Sequence, residues 1–98
     1  MRKPERDQKT VLSVLAFLST CQSERELVLQ DKLQLPGAIL RPSLKALAAA
    51  EYILIEPVRL EGVHTDSVIE ITSLGRAYFL ERVGHLKALV DLLDAEEA

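Results

Sequence analysis

The stretch from Leu29 to Glu56, LQDKLQLPGAILRPSLKALAAAEYILIE, constrains the fold most, because its hydrophobic pattern changes twice. A helical pattern ends at Leu35, since Pro36 disfavours the helical conformation of the residue before it and Gly37 allows a tight turn. Leucines then recur at helical spacing, at Leu40, Leu44 and Leu47. The segment EYILIEPVRL has the residue types and period of a strand. The stretch therefore predicts a helix, a tight turn, a second helix and a strand.

The flanking sequence predicts the remaining elements of one domain over residues 1–98. An amphipathic helix is expected at about 7–21, where apolar residues recur at helical spacing. Ser23 and Glu26 form the Ser-x-x-Glu capping-box pattern, which predicts that the two-helix segment at about 23–51 starts near Ser23 or one turn later. A β-hairpin is expected at about 52–71, with Pro57 restricting its first strand to a sheet edge or ending its pairing. Thr72 is expected to cap a last helix at about 73–95.

This last helix carries an apolar stripe that steps by three and four residues along its C-terminal half. We expect the stripe to form a homodimer interface, through Leu80, Val83, Leu86, Val90 and Leu93. The stripe extends further than a three-helix core covers, although packing on the first helix of its own domain is the alternative. Gly84, within the stripe, is expected to mark close packing on another helix.

The charge of the chain permits a nucleic-acid partner without requiring one. The formal net charge is −3, but the last nine residues, VDLLDAEEA, contribute four acids and no base, so the rest of the chain sums to −3 − (−4) = +1. A modest basic arm, with Arg2, Lys3, Arg6 and Lys9, opens the chain and could contact phosphates or could simply be solvated. No apolar run is long enough to span a membrane, so we expect a soluble, cytoplasmic protein without a membrane partner.

The sequence offers little support for catalysis. It contains no Gly-rich phosphate loop, no cluster of His, Cys and Asp, and no nucleophile at a suggestive spacing from a base. Its one cysteine cannot close an intramolecular disulfide, and His64 and His85 lie too far apart along the predicted elements to suggest a shared metal. We therefore expect no enzyme activity, no cofactor and no metal.

Two motifs carry a resemblance to a known family. LQDKLQLPGAILRPSLKALAAAEYILIE has leucines, a turn, a leucine-bearing helix and a helix exit in the order found in small bacterial and archaeal regulators related to the MarR and PadR families. IEITSLGRAYF resembles their strand-to-helix ending at Ile69, Ile71, Thr72, Gly75, Arg76 and Phe79. Over about residues 9–90 the chain thus resembles a winged helix-turn-helix domain. The resemblance implies a mostly helical α+β fold, in the order α-α-α-β-β-α, with a long C-terminal dimerisation helix.

The same resemblance implies a DNA-binding role for the third helix and for the hairpin, or wing. By position, the groove-facing residues would be Ala38, Ile39, Arg41, Pro42, Ser43 and Lys45. Among these, Arg41 could read a guanine with its guanidinium, while Ser43 and Lys45 are expected to contact phosphates. On the wing, the candidates for contact with DNA are Arg59 and His64.

Two departures from the family pattern leave a second hypothesis open. Pro42 lacks an N–H and its ring would clash with the carbonyl of Ala38, so the third helix is expected to begin around Pro42, which would shorten its reading end. Ile39 cannot hydrogen-bond to bases, and the wing VRLEGVHTDS is close to neutral. The first hypothesis is a transcriptional regulator that binds double-stranded DNA as a homodimer. The second is a winged-helix module that binds a protein partner.

Overall fold

Four helices and three strands follow one another in the computed structural model, which describes residues 5–59 and 65–97. In chain order they are α1 (Glu5–Cys21), β1 (Ser23–Arg25), α2 (Glu26–Leu33), α3 (Gly37–Ala49), β2 (Ile53–Arg59), β3 (Thr65–Ile71) and α4 (Ser73–Glu97). The prediction of a mostly helical α+β fold, with two helices joined by a turn, a hairpin and a long C-terminal helix, is confirmed.

The three strands form one antiparallel sheet in the order β1-β3-β2, so β3 is central. Strand β2 lies at an edge, as Pro57 predicts, and Pro57 faces Ser67 across the ladder. Strand β1 was not predicted. It runs opposite residues 68–70 of β3, with Ser23 facing Glu70. The capping-box interpretation of Ser23 and Glu26 is therefore wrong, because residues 23–25 are extended and serve the sheet.

Helix α2 instead takes its N-terminal cap from a distant strand. Its N-cap residue, Arg25, makes no side-chain capping hydrogen bond. The backbone N–H of Leu27 donates to Oδ1 of Asp66 in β3, at 3.3 Å. The carboxylate of Asp66 is only 2% exposed, and Nε of Arg25 lies 4.0 Å from its other oxygen. A residue near the start of β3 thus stabilises the start of α2.

A single apolar cluster holds these elements together. Its buried members come from α1, α2, α3, β2 and β3, and they are Val14, Leu15, Leu18, Leu29, Leu40, Leu44, Leu47, Ile53, Ile69 and Ile71. Helix α4 contributes partly buried aromatic side chains, Tyr78 and Phe79, at its N-terminal end. Tyr78 stacks on Tyr52, which follows α3, with 4.5 Å between the ring centroids.

The segment TSLGR fastens α4 to the rest of the domain. The hydroxyl of Thr72 accepts the N–H of Gly75 at 2.9 Å and donates to the carbonyl of Glu51 at 2.7 Å. Gly75 lies so close to the carbonyl of Tyr52 that a Cβ there would overlap it. Arg76 donates to the carbonyl of Ser19 at 3.2 Å, at the end of α1. Thr72, Gly75 and Arg76 of the IEITSLGRAYF motif therefore hold α4 against the rest of the domain.

Pro42 lies inside α3 rather than at its start. The expectation that the helix begins around Pro42 is wrong, because α3 begins at Gly37. The carbonyl of Pro36 accepts the N–H groups of Ile39 and Leu40, both at 3.0 Å, which closes the first turn before Pro42 is reached. Ala38 and Pro42 are both exposed, so water can bond the carbonyl that Pro42 leaves without its usual N–H. The N-terminal end of α3 is therefore not shortened by Pro42.

Candidate nucleic-acid interface

One face of α3 points into the core and the opposite face is open to solvent. Leu40, Leu44 and Leu47 are buried. The exposed side chains on the first three turns are Ala38, Ile39, Arg41, Pro42, Lys45 and Ala46. Helix α3 has no acidic residue, so its solvent face carries two cations and no opposing charge of its own. Such a helix is able to approach a polyanion.

Arg41 lies over the N-terminal turn of α3. Its side chain is 61% exposed, and its Nε donates to Oε2 of Glu26 at 2.9 Å. Long side chains of a helix point toward its N-terminus, which explains how a residue in the second turn reaches back to Gly37. The guanidinium carbon lies 3.0 Å from the position that a Cβ of Gly37 would occupy. The charge of Arg41 is thus presented at the turn between α2 and α3.

Ser43 does not belong to this surface. The residue is 6% exposed, and it shares the inward face of α3 with Leu40 and Leu47, three residues before it and four after it. The structure does not support the predicted phosphate contact of Ser43, because the residue is almost fully buried. The leucine spacing already contained this information.

The other predicted contacts are distributed over α3 and the wing. Lys45 is exposed, and Ile39 is 46% exposed. Arg59 is exposed at the end of β2, where it faces Thr65 across the hairpin. His64 falls outside the described residues. Of the N-terminal basic arm, only Lys9 has a described side chain, and it is exposed.

Acidic residues beside Arg41 were missed by sequence reasoning. Glu26, Arg41 and Asp66 line one cleft of about 180 Å³, together with Leu27 and Ser67. Glu26 is only 14% exposed, and the same oxygen that accepts from Arg41 also accepts from Gln30, at 3.2 Å. Glu26 and Arg41 are fifteen residues apart, so no local spacing indicates the contact.

The predicted dimer stripe on α4 is exposed to solvent. Leu80, Val83, Leu86, Val90 and Leu93 are all among the exposed large apolar side chains. Nothing in the structure lies within 4 Å of a Cβ built on Gly84, so the expected close packing at Gly84 is absent within the described part of one chain. Phe79 packs on the core, and the stripe continues along the same side of the helix, since Val83, Leu86 and Val90 follow Phe79 at steps of three and four.

Residues 5–59 and 65–97 hold neither a cluster of potential metal ligands nor a helix suited to span a membrane. There, no group of three or more His, Cys, Asp or Glu side chains is placed to hold a metal ion. In the same residues, no helix combines the length and apolar character that crossing a bilayer requires.

Comparison with known proteins identifies a solved structure with a similar fold. No protein-family model matches the chain, and no curated protein matches it. A solved structure, described as the transcriptional regulator homologue protein from Pyrococcus horikoshii OT3, is similar with a TM-score of 0.80 and 23% sequence identity. The alignment covers 88% of this chain and 84% of that chain. The similarity shows that the chain shares the fold of that protein, while membership of the MarR or PadR families stays a prediction.

Proposed function

We propose that the protein is a transcriptional regulator that binds duplex DNA as a homodimer. The observation that carries this proposal is the solvent face of α3, which presents Arg41 and Lys45 with no acid on the helix itself. The fold supports it, since the similar archaeal structure is described as a transcriptional regulator homologue.

In the proposed complex, the first turns of α3 enter the major groove. Arg41 donates to O6 and N7 of a guanine, which is the commonest specific contact between a side chain and a base. Lys45 and Arg59 bond phosphates and so fix the position of the domain without reading sequence. Ala38 and Ile39 offer only apolar contact, as to a thymine methyl group.

The homodimer uses the exposed stripe of α4. Each subunit presents only a few cations, so one subunit alone gains little from the release of counterions. Two subunits joined along α4 double these contacts and address two half-sites of one duplex. Burial of the stripe removes Leu86, Val90 and Leu93 from water, which supplies the driving force for association.

A salt titration tests the proposal. Wild-type protein is expected to bind duplex DNA at low salt and to lose affinity as salt is raised. Arg41→Ala should lower affinity for a selected sequence by about 5- to 150-fold for each subunit, the equivalent of one lost guanine contact in each half-site. Lys45→Ala should weaken binding to all sequences and reduce the salt slope by about 1 for each subunit. Fluorescence anisotropy with labelled duplexes measures both effects.

Lys87→Ala is the matched control. It removes the same charge from α4, where Lys87 pairs with Asp91 at 3.4 Å, and it should leave DNA affinity unchanged. Absence of binding by wild-type protein at low salt would contradict the proposed function.

A protein-binding module is the second candidate, and one observation favours it. Ile39 at the start of α3 is 46% exposed, and Leu27 at the start of α2 is 49% exposed. This surface therefore also offers apolar side chains that a protein partner could cover. The salt titration separates the two candidates, because a protein interface of this kind requires no binding to duplex DNA.

A further inference from the structure

The guanidinium of Arg41 is held by one edge only. Its Nε donates to Glu26, whereas Nη1 and Nη2 have no hydrogen-bond partner within the described part of the chain. These two nitrogens form the end of the fork, and they are the donors that a bidentate contact with guanine O6 and N7 requires. The ion pair therefore orients Arg41 and leaves Nη1 and Nη2 free to contact a base.

Glu26 is itself fixed in place. It is the first residue of α2, where an acid interacts favourably with the helix dipole. Its Oε2 accepts from Gln30, one turn later, as well as from Arg41. With 14% exposure, the side chain of Glu26 is largely shielded from water. A fixed carboxylate makes a rigid anchor for a flexible arginine.

Gly37 supplies the second part of the support. The three outer atoms of the guanidinium, Cζ, Nη1 and Nη2, lie 3.0–3.1 Å from the place where a Cβ of residue 37 would be. A Cβ there would force the guanidinium to shift by a few tenths of an ångström, since the atoms in contact belong to the far end of Arg41. The absence of a Cβ thus leaves room for Arg41 to lie over the first turn of α3.

We propose that Glu26 and Gly37 form a seat that holds the Arg41 guanidinium in its base-reading orientation, and that they are therefore specificity-determining positioning residues. The inference rests on the proposed function, because it concerns how the same surface selects a guanine. An arginine that is already oriented loses less side-chain entropy on binding than a free one, so its contact discriminates better between sequences.

The test compares binding to two probes. The first is a duplex enriched from a randomised pool by the wild-type protein, and the second is the random-sequence duplex. The ratio of the two dissociation constants measures discrimination, and it cancels the general gain in affinity that loss of any acid produces. Glu26→Ala is expected to reduce this ratio toward the value of Arg41→Ala, a loss of about 5- to 150-fold for each subunit. Glu26→Gln should preserve most of the ratio, because its amide oxygen still accepts from Nε.

Two further variants separate positioning from other effects. Asp31→Ala removes an exposed carboxylate from the same helix, α2, and should leave the ratio unchanged. Gly37→Ala should lower the ratio while leaving thermal stability equal or higher, since alanine is the better helix former. A purely structural role for Gly37 would instead lower stability along with discrimination.

A measurement without DNA tests the seat directly. The Nε–H signal of Arg41 in a ¹H–¹⁵N spectrum is expected to be resolved in wild type and in Glu26→Gln, and to be lost to solvent exchange in Glu26→Ala. If no duplex is enriched from the pool, the proposed function fails and this inference fails with it. If a duplex is enriched but Glu26→Ala discriminates as well as wild type, or better, only the inference is overturned.

Discussion

At the scale of single residues, the end of α3 contains a strained position. Glu51 has a φ of 67°, in the left-handed region that glycine tolerates best. The N–H of Glu51 bonds the carbonyl of Ala48, and the N–H of Tyr52 bonds that of Leu47, which is the hydrogen-bond pattern of a Schellman motif. The chain thus places a glutamate at a backbone position that favours glycine. The geometry of the helix exit is kept in spite of the strain.

Glu51→Gly is therefore expected to raise the free energy of unfolding by about 1 kcal/mol, because glycine adopts the left-handed conformation without a steric penalty. Urea denaturation followed by circular dichroism measures the change. Glu51→Gln is the control, since it removes the charge near the negative end of the helix dipole and keeps the strained backbone. An equal gain in both variants would assign the effect to charge and contradict the role of strain.

At the scale of elements, the start of α2 depends on β3. Asp66 accepts the N–H of Leu27 as well as that of Ser67, so one buried carboxylate joins a helix terminus to the central strand. The adjoining strand β1 pairs with β3 on the side away from β2. The helix whose first residue is Glu26, the proposed anchor of Arg41, thus takes its N-terminal cap from the sheet and not from its own sequence.

Asp66→Ala is expected to lower the free energy of unfolding by about 1–2 kcal/mol, the usual effect of losing a helix cap. Chemical denaturation measures the loss. Asp66→Asn should lose less, because its side-chain oxygen can still accept from Leu27. Stabilities that are the same for wild type, Asp66→Ala and Asp66→Asn would show that the cap contributes nothing.

At the scale of the whole molecule, α4 makes the protein elongated. The radius of gyration is 15.5 Å, whereas a compact domain of this length is expected to have about 13 Å. The longest dimension is 59 Å against 28 and 24 Å for the others. The part of α4 after Arg82 is exposed at every residue whose side chain the structure describes, and it carries the apolar stripe. A second copy of the chain is the partner that we propose for it.

Replacement of Leu86 and Val90 together by lysine is expected to convert a dimer into a monomer without unfolding the domain, because both side chains are exposed and outside the core. Sedimentation equilibrium should give wild type about twice the chain mass of 10.9 kDa and the double variant the single mass. Leu54→Lys, on β2, changes an equally exposed leucine and should leave the dimer intact. A wild-type protein that stays at the single mass as its concentration is raised would rule out this interface.

The element order follows from local signals in the sequence. Pro36 and Gly37 separate α2 from α3, the leucines at 40, 44 and 47 give α3 its inward face, and Thr72 marks the start of α4. These features are determined by backbone preferences and hydrophobic period, which act over a few residues. The burial of Ser43 is also predictable from the local sequence, because Ser43 is spaced from Leu40 and Leu47 so as to share their face of the helix.

Contacts between distant residues were decided by the tertiary structure alone. Strand β1 exists because β3 offers it a free edge, and α2 is capped because Asp66 lies beside it. The ion pair of Glu26 with Arg41 joins two helices across the turn. Pro42 is tolerated in α3 because the fold leaves Ala38 and Pro42 exposed, so water can bond the carbonyl of Ala38. The hydrophobic period predicts which face of an element is apolar. Only the packing of the whole chain determines which residues contact that face and the polar side chains beside it.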